Sequence, residues 1–468
     1  MNYIKQFIKT SGVFFLGNTL TKLISFFLLP LYTLKITPDA FGYYDLTISL
    51  INLIVPIIFF QVWDGIFRFT FDYEKKSDKY MVVSNGIVIQ IFGFIMYLIT
   101  FFIIVNLLNY DMNYRYLIFI YGILSAFQYY YNCVARSFAK NTLLVATGLL
   151  NSVISILLNV ILISIYNMGI EALYISYIIG TLIQIIILEK GVKIVENFKI
   201  NVISVELIKK LIKFSLPLCV ITLSYWLLSG LVRLVISNKL GMQENGLYGV
   251  TNRLSSIIVL VVNVFQFAWY EMSYSMGKDA NKKQYYKYSL DYILKVILYV
   301  GSVSLLIIKV VFPYMIAEQY RDALMIIPIT FIGVLINSYV SFASTLFLAE
   351  KDSKKLLLPT LISVVVNMIG LVLLTENLGL IGATLSLAIA FFVNGLIITI
   401  KLKKQYNIKL DALNFLGGIS VLIISTVAFY YIEGIHYLIA CILFIIIISM
   451  YVFKDTFKFL LKMLKKSN

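Results

Sequence analysis

The sequence predicts an all-α integral membrane protein. Its fourteen transmembrane helices are expected to form two six-helix lobes in a parallel pseudo-twofold repeat, plus a C-terminal two-helix hairpin. Three observations carry that expectation. The 468 residues are 60% hydrophobic and only 13% charged, far more apolar than a soluble chain of this size. The apolar residues gather into fourteen stretches, most of them about 20 residues long, which suffices to cross ~30 Å of hydrocarbon at ~1.5 Å per residue. Finally, 30 of the 39 Lys and Arg residues fall in every second connection, beginning with the N-terminus. Short basic loops stay on the cytoplasmic side, so both termini are expected to face inward.

In order, the stretches are 11–33, 42–62, 84–106, 115–135, 145–166, 171–188, 214–236, 247–268, 290–311, 324–348, 357–375, 379–399, 413–432 and 436–453. The first carries Asn18 and Lys22, lacks a small-residue cleavage site and is too long for a signal-peptide core, so it reads as a retained helix. The longest polar stretch, 189–213, interleaves six lysines with Val, Ile and Phe and reads as an interfacial amphipathic connection. The predicted organisation is a lobe over 1–188, a cytoplasmic linker over 189–213, a second lobe over 214–400, and a helix pair with a basic tail over 401–468.

Two anchors support the repeat. Lys35 to Tyr44 falls on Lys239 to Tyr248, each opening the second helix of its half. Gly169 to Ser176 falls on Gly379 to Ser386, each opening the sixth. An even number of spans per half inserts both the same way up, as in carriers that rock around a central cavity.

The formal charge of +16 sits mainly beside apolar spans, which points to lipid head groups and the insertion machinery and away from nucleic acid. Cys133, Cys219 and Cys441 lie inside predicted spans, where a disulfide framework is not expected. A single histidine, His436, excludes a zinc cluster. No cofactor is expected; coupling to H+ or Na+ stays open.

Function must be sought in polar residues inside the spans. Lys22 lies about 16 Å from either end of its helix, where an ammonium facing lipid costs ~2.5–3.5 kcal/mol or more. Ser11, Asn18, Lys22 and Ser25 share one helical face, a candidate cavity wall; the alternative for Lys22 is an interhelical lock to Asp45. Arg253 begins a comparable stripe with Ser256, Asn263 and Gln266. Arg233 ends a row with Thr222, Tyr225 and Ser229, as a cavity residue or as an interface anchor. Gln128, Asn132 and Arg136 descend one face of the fourth span, where Arg136 meets either a cargo or phospholipid head groups. Asp45 shares a face with Ser49, Asn52 and Pro56 and serves either as counter-charge or in transport, while Asp64 and Arg68 are placed to pair with each other. The run Tyr129, Tyr130 and Tyr131 could stack on sugars, although aromatic residues also concentrate at membrane interfaces. Several buried cations with almost no mid-span carboxylate describe a cavity for an anion, phosphate above all.

The chain resembles the oligosaccharide flippases of the polysaccharide biosynthesis (Wzx-type) family, within the superfamily that also holds multidrug MATE exporters and peptidoglycan lipid flippases. The resemblance rests on Phe41-Gly42-Tyr43-Tyr44 after Thr37-Pro38, on Gly65 to Phe69, on Arg136 to Lys140, and on Gly246 to Tyr248 followed by Asn252-Arg253. It implies a protein of the bacterial inner membrane that is not an enzyme. Its cargo would be an undecaprenyl-diphosphate-linked oligosaccharide, moved to the outer leaflet for O-antigen, capsule or exopolysaccharide assembly alongside a polymerase and a chain-length regulator. The lipid flippases place basic residues on spans one and eight, which correspond here to Lys22 and Arg253. The single Lys22, where the peptidoglycan flippases cluster an Arg and a carboxylate, points away from a lipid II cargo. The alternative is a MATE-like cation-coupled drug exporter, for which Asp45 is the sole well-placed carboxylate.

Overall fold

A computed structural model describes residues 26–107, 113–275, 282–350, 352, 354–408 and 411–466. Lys22, Asn18 and most of the first apolar stretch lie outside the described residues. Within them all regular structure is helical. Ten helices are long and apolar enough to cross a membrane, and Phe415–Tyr431 forms a shorter apolar helix.

The first elements are α1 (Leu29–Lys35), α2 (Pro38–Ile58) and α3 (Val62–Thr70). Thr37 caps α2 by accepting a hydrogen bond from the Ala40 amide at 3.4 Å, and Pro38 stands in the first turn, where its missing N–H costs nothing. Phe60 and Gln61 then adopt left-handed backbone angles, φ 55° and 45°, breaking α2 from α3. Such angles are costly for residues with a Cβ.

Next come α4 (Lys76–Phe102), α5 (Arg115–Ser137), α6 (Asn141–Ser164), α7 (Glu171–Val192) and α8 (Val205–Lys239). Val62, Ile66, Val82, Val83, Tyr130, Val134, Leu188, Leu207 and Leu211 bury one another in a shared core of α3, α4, α5, α7 and α8. Two bonds from side chain to carbonyl fix the register of α4 and α5: Tyr130 Oη donates to Val83 O at 2.9 Å and Gln90 Nε2 to Ala126 O at 3.0 Å. The basic connection after α7 folds as an elbow. Tyr80 Oη donates to Val192 O at 2.6 Å, while fully buried Asn85 donates to Val202 O and accepts from the Ser204 amide.

The chain continues through α9 (Met242–Ser255), α10 (Ile257–Ser275), α11 (Lys282–Lys295), α12 (Gly301–Met315), α13 (Ile327–Ala349), α14 (Lys354–Tyr406), α15 (Ala412–Tyr431) and α16 (Ile435–Lys466). Apolar stretch 247–268 is divided between α9 and α10 at Ser256, and α14 covers two stretches with a kink at Gly379 (φ 56°, ψ −133°). Along its first limb Leu361 is 52% and Val365 54% exposed, while Ser363 and Asn367 are fully buried. A helix with apolar residues outside and small or polar ones inside is built for lipid, where helices associate through close packing and hydrogen bonds.

By compactness the chain divides into two units, one ending at Arg233 and the other starting at Leu234, so the division falls within α8. In the second unit, the kink of α14 brings the limbs so close that a Cβ on Gly382 would stand 2.0 Å from the Leu374 carbonyl oxygen. Gly382→Ala should therefore lower the melting temperature of detergent-purified protein markedly. Gly148→Ala, with open space at its Cβ, should not. Equal melting points would show that the limbs separate freely.

Candidate functional site

The first unit contains a cavity of about 770 Å³. Three spans supply its polar wall. Gln128 lies nine residues before the end of α5, Asn151 ten after the start of α6, and Gln184 eight before the end of α7. At ~1.5 Å per residue these amides sit ~12–15 Å from their helix ends, at hydrocarbon depth. Unsatisfied amides there would each cost several kcal/mol, and the structure joins them instead. Gln184 Oε1 accepts from Gln128 Nε2 and from Asn151 Nδ2, each at 2.7 Å, and Gln184 Nε2 donates to Asn132 Oδ1 at 3.3 Å. Tyr177 Oη donates to Gln128 Oε1 at 2.9 Å, and Ser155 Oγ to Asn151 Oδ1 at 3.1 Å.

Aromatic rings supply another part of the wall. Trp63 and Tyr129 stack with ring centroids 5.1 Å apart, and Tyr129 is 41% exposed. The tyrosine run thus divides: Tyr129 lines the cavity, whereas Tyr130 and Tyr131 are buried in the core.

Arg136 and Asp64 are the charged residues of the lining. The Arg136 guanidinium lies over the Phe67 ring, 4.8 Å from its centroid, a cation–π contact that holds the charge while leaving its N–H edge for other partners. Asp64 accepts from Gln61 Nε2 at 2.6 Å, and Gln61 Oε1 accepts from Thr222 Oγ1 on α8 at 2.8 Å. Arg68 pairs with Asp72 at 2.6 Å and not with Asp64, although each carboxylate is four residues from it; Asp64 is held by Gln61 instead.

Burial pushes the Asp64 carboxyl up from its ordinary value, offset in part by the Gln61 hydrogen bond and the positive field of Arg136. The folded state therefore holds its proton to higher pH than the unfolded chain. Linkage then requires stability to fall as pH rises from about 4 toward the raised value. Asp64→Asn should flatten that acidic-range slope in thermal melts of the detergent-solubilised protein; an unchanged slope would assign it to another group.

Asp45 and Arg233 form an ion pair, Oδ2 to Nε 2.5 Å, with side chains 14% and 19% exposed, and Arg233 Nη1 also donates to Ser229 O at 3.0 Å. Arg253 is half-buried on α9 in the second unit, and Gln266 of the same stripe donates to Ser341 Oγ at 2.8 Å. The structure thus unites Asp45 with Arg233 and gathers Gln128, Asn132 and Arg136 into one cavity. Sequence reasoning missed Trp63, Asn151, Asn159, Tyr177 and Gln184. Asn151, Ser155 and Asn159 repeat on α6 the i, i+4, i+8 spacing of Gln128, Asn132 and Arg136, so the signal was present.

Ten apolar helices and a polar cavity among the described residues define the class: a multi-pass membrane protein. Among solved structures the chain is similar to the lipid II flippase MurJ in an inward closed conformation (TM-score 0.70, 14% identity, covering 96% of this chain and 100% of that one). It is also similar to an inward-facing multidrug resistance MATE family transporter of the MOP superfamily (TM-score 0.65, 13% identity, 87% and 99%). A MATE transporter of Vibrio cholerae is more distant (TM-score 0.53, 16% identity, 88% and 98%). No curated protein matches in sequence. Residues 7–276 match the family described as polysaccharide biosynthesis protein, and the chain belongs to that family.

Proposed function

We propose that the protein is a flippase that carries an undecaprenyl-diphosphate-linked oligosaccharide from the cytoplasmic to the outer leaflet by alternating access. The product would feed O-antigen, capsule or exopolysaccharide assembly, with a polymerase and a chain-length regulator as partners. The carrying observation is a hydrogen-bonding cavity of about 770 Å³ at hydrocarbon depth in a chain of the polysaccharide biosynthesis family. A cavity lined by amides, hydroxyls and aromatic rings suits a polar uncharged head group, and Arg136 gives it one fixed positive charge.

In this reading the chain lies in the bacterial inner membrane with both termini cytoplasmic, and its fourteen spans comprise two six-helix halves and a terminal hairpin. Lys22 and Arg253 meet the diphosphate, because ammonium and guanidinium groups pair well with phosphate oxygens. A doubly charged head moving outward down an inside-negative potential gains ~4.6 kcal/mol per 100 mV, at ~2.3 kcal/mol per charge. Engagement of Asp45 by Arg233 makes Asp64 the stronger candidate for a coupling carboxylate.

The test is deletion followed by complementation. Surface polysaccharide should vanish in the deletion strain and return with the wild-type gene, but not with Lys22→Ala or Arg253→Ala. Full display with both substitutions would remove them from the site. A second reading, a cation-coupled drug exporter, draws on the likeness to MATE folds and on the cavity carboxylate Asp64. It predicts intact surface glycan and lost drug resistance in the same strain.

A further inference from the structure

Resting on the flippase reading, we infer that the cavity of the first unit is the subsite for a sugar ring of the cargo, with the diphosphate held elsewhere. Three features of the wall point to a polyhydroxyl ligand. In the amide network Gln184 Oε1 takes two donors, while Gln128 Oε1, Asn132 Oδ1 and Asn151 Oδ1 each take one and keep one lone pair. Among the described residues its larger surplus is of donors: both N–H groups of the Asn132 amide and the second N–H of Gln128, Asn151 and Gln184. Sugar hydroxyl oxygens and acetamido carbonyls are the acceptors such a wall would take.

Asn159, 7% exposed and part of the lining, has a side-chain oxygen with no hydrogen-bond partner among the described residues. A buried amide oxygen left so at hydrocarbon depth is costly unless a ligand or water supplies a proton. Hydroxyl and acetamido groups both accept from amide N–H groups and donate to an amide oxygen, so a sugar ring can meet donors and acceptor together.

The third feature is the Trp63–Tyr129 stack. An aromatic face carries negative charge density, which attracts the polarised C–H groups on the apolar face of a pyranose. A phosphate has no such face. The charged lining residues among those described, Arg136 and Asp64, are of opposite sign, so within the described lining there is no surplus of cations of the kind a diphosphate needs.

The experiment uses the full chain in lipid nanodiscs with two probes, undecaprenyl diphosphate bearing one N-acetylglucosamine and undecaprenyl diphosphate without sugar. In the unmodified protein, tryptophan emission should change with the glycosylated lipid alone. Tyr129→Ala should weaken equilibrium binding of the glycosylated lipid about ten-fold with little change for the bare lipid. Tyr129→Phe, which keeps the ring, should restore it. Binding of the glycosylated lipid by the wild type, with an equal emission change for both probes, would overturn the sugar assignment and leave the flippase reading standing. So would an affinity that Tyr129→Ala does not alter. Failure of the wild type to bind either lipid would overturn both.

Discussion

Arg233→Ala is expected to destabilise the protein by ~3–5 kcal/mol, because it strips the Asp45 carboxylate of its one cationic partner among the described residues in a low-dielectric setting. The two residues reach each other from α2 and α8. Asp45 lies seven residues into α2 and Arg233 six residues before the end of α8, so both stand ~9–10 Å inside their helices. At 14% and 19% exposure neither side chain recovers full hydration when its partner is removed. Asp45→Leu should be costly for the converse reason. The double variant Asp45→Leu/Arg233→Leu should cost less than the sum of the two, since replacing both charges removes the orphan. Thermal unfolding of the four proteins in one detergent completes the cycle, and strict additivity would show that the ions do not interact. If the pair only ties α2 to α8, the double variant should still complement a deletion strain.

The second large effect is expected at Gln184. Gln184→Leu removes the acceptor for Gln128 and Asn151 and the donor to Asn132, leaving three amides at hydrocarbon depth with lost partners. Each stranded polar group costs ~1–3 kcal/mol, although relaxation and water recover part of this, for a net loss of ~2–4 kcal/mol. Gln184 is 3% exposed, so solvent gives little relief. Because the same amides line the cavity, transport should fall as well, by about ten-fold for each 1.4 kcal/mol lost from the loaded state. Gln184→Glu keeps the acceptor but adds a charge beside it, so it should retain more stability than leucine only at acid pH. Melting curves at two pH values, with surface glycan measured in parallel, check both statements.

Much of this architecture was legible in the sequence, and the places where it was not have physical causes. Apolar stretches and their basic connections follow from the bilayer, which demands long apolar helices and retains positive loops. The break at Phe60–Gln61 left no trace, since neither residue favours a left-handed backbone and only packing enforces it. Gln128, Asn132 and Arg136 were readable because i, i+4, i+8 spacing puts them on one face. The matching row on α6 was not singled out because it carries no charge. Asp45 and Arg233 were both noticed, but separately; they stand 188 positions apart in the chain, and only the fold could make them a pair. The Tyr129–Tyr131 run illustrates the same limit, since consecutive helical residues point about 100° apart and only one of the three lines the cavity.

The central claim is that this cavity serves the passage of a lipid-linked glycan across the bilayer. It is tested most directly by locating the glycan precursor in a strain lacking the protein. The precursor should accumulate on the inner leaflet, sealed from an externally added lectin until the cells are permeabilised, and re-expression should expose it. Lectin-accessible precursor in the unpermeabilised deletion strain, or surface polysaccharide at wild-type levels, would contradict the account.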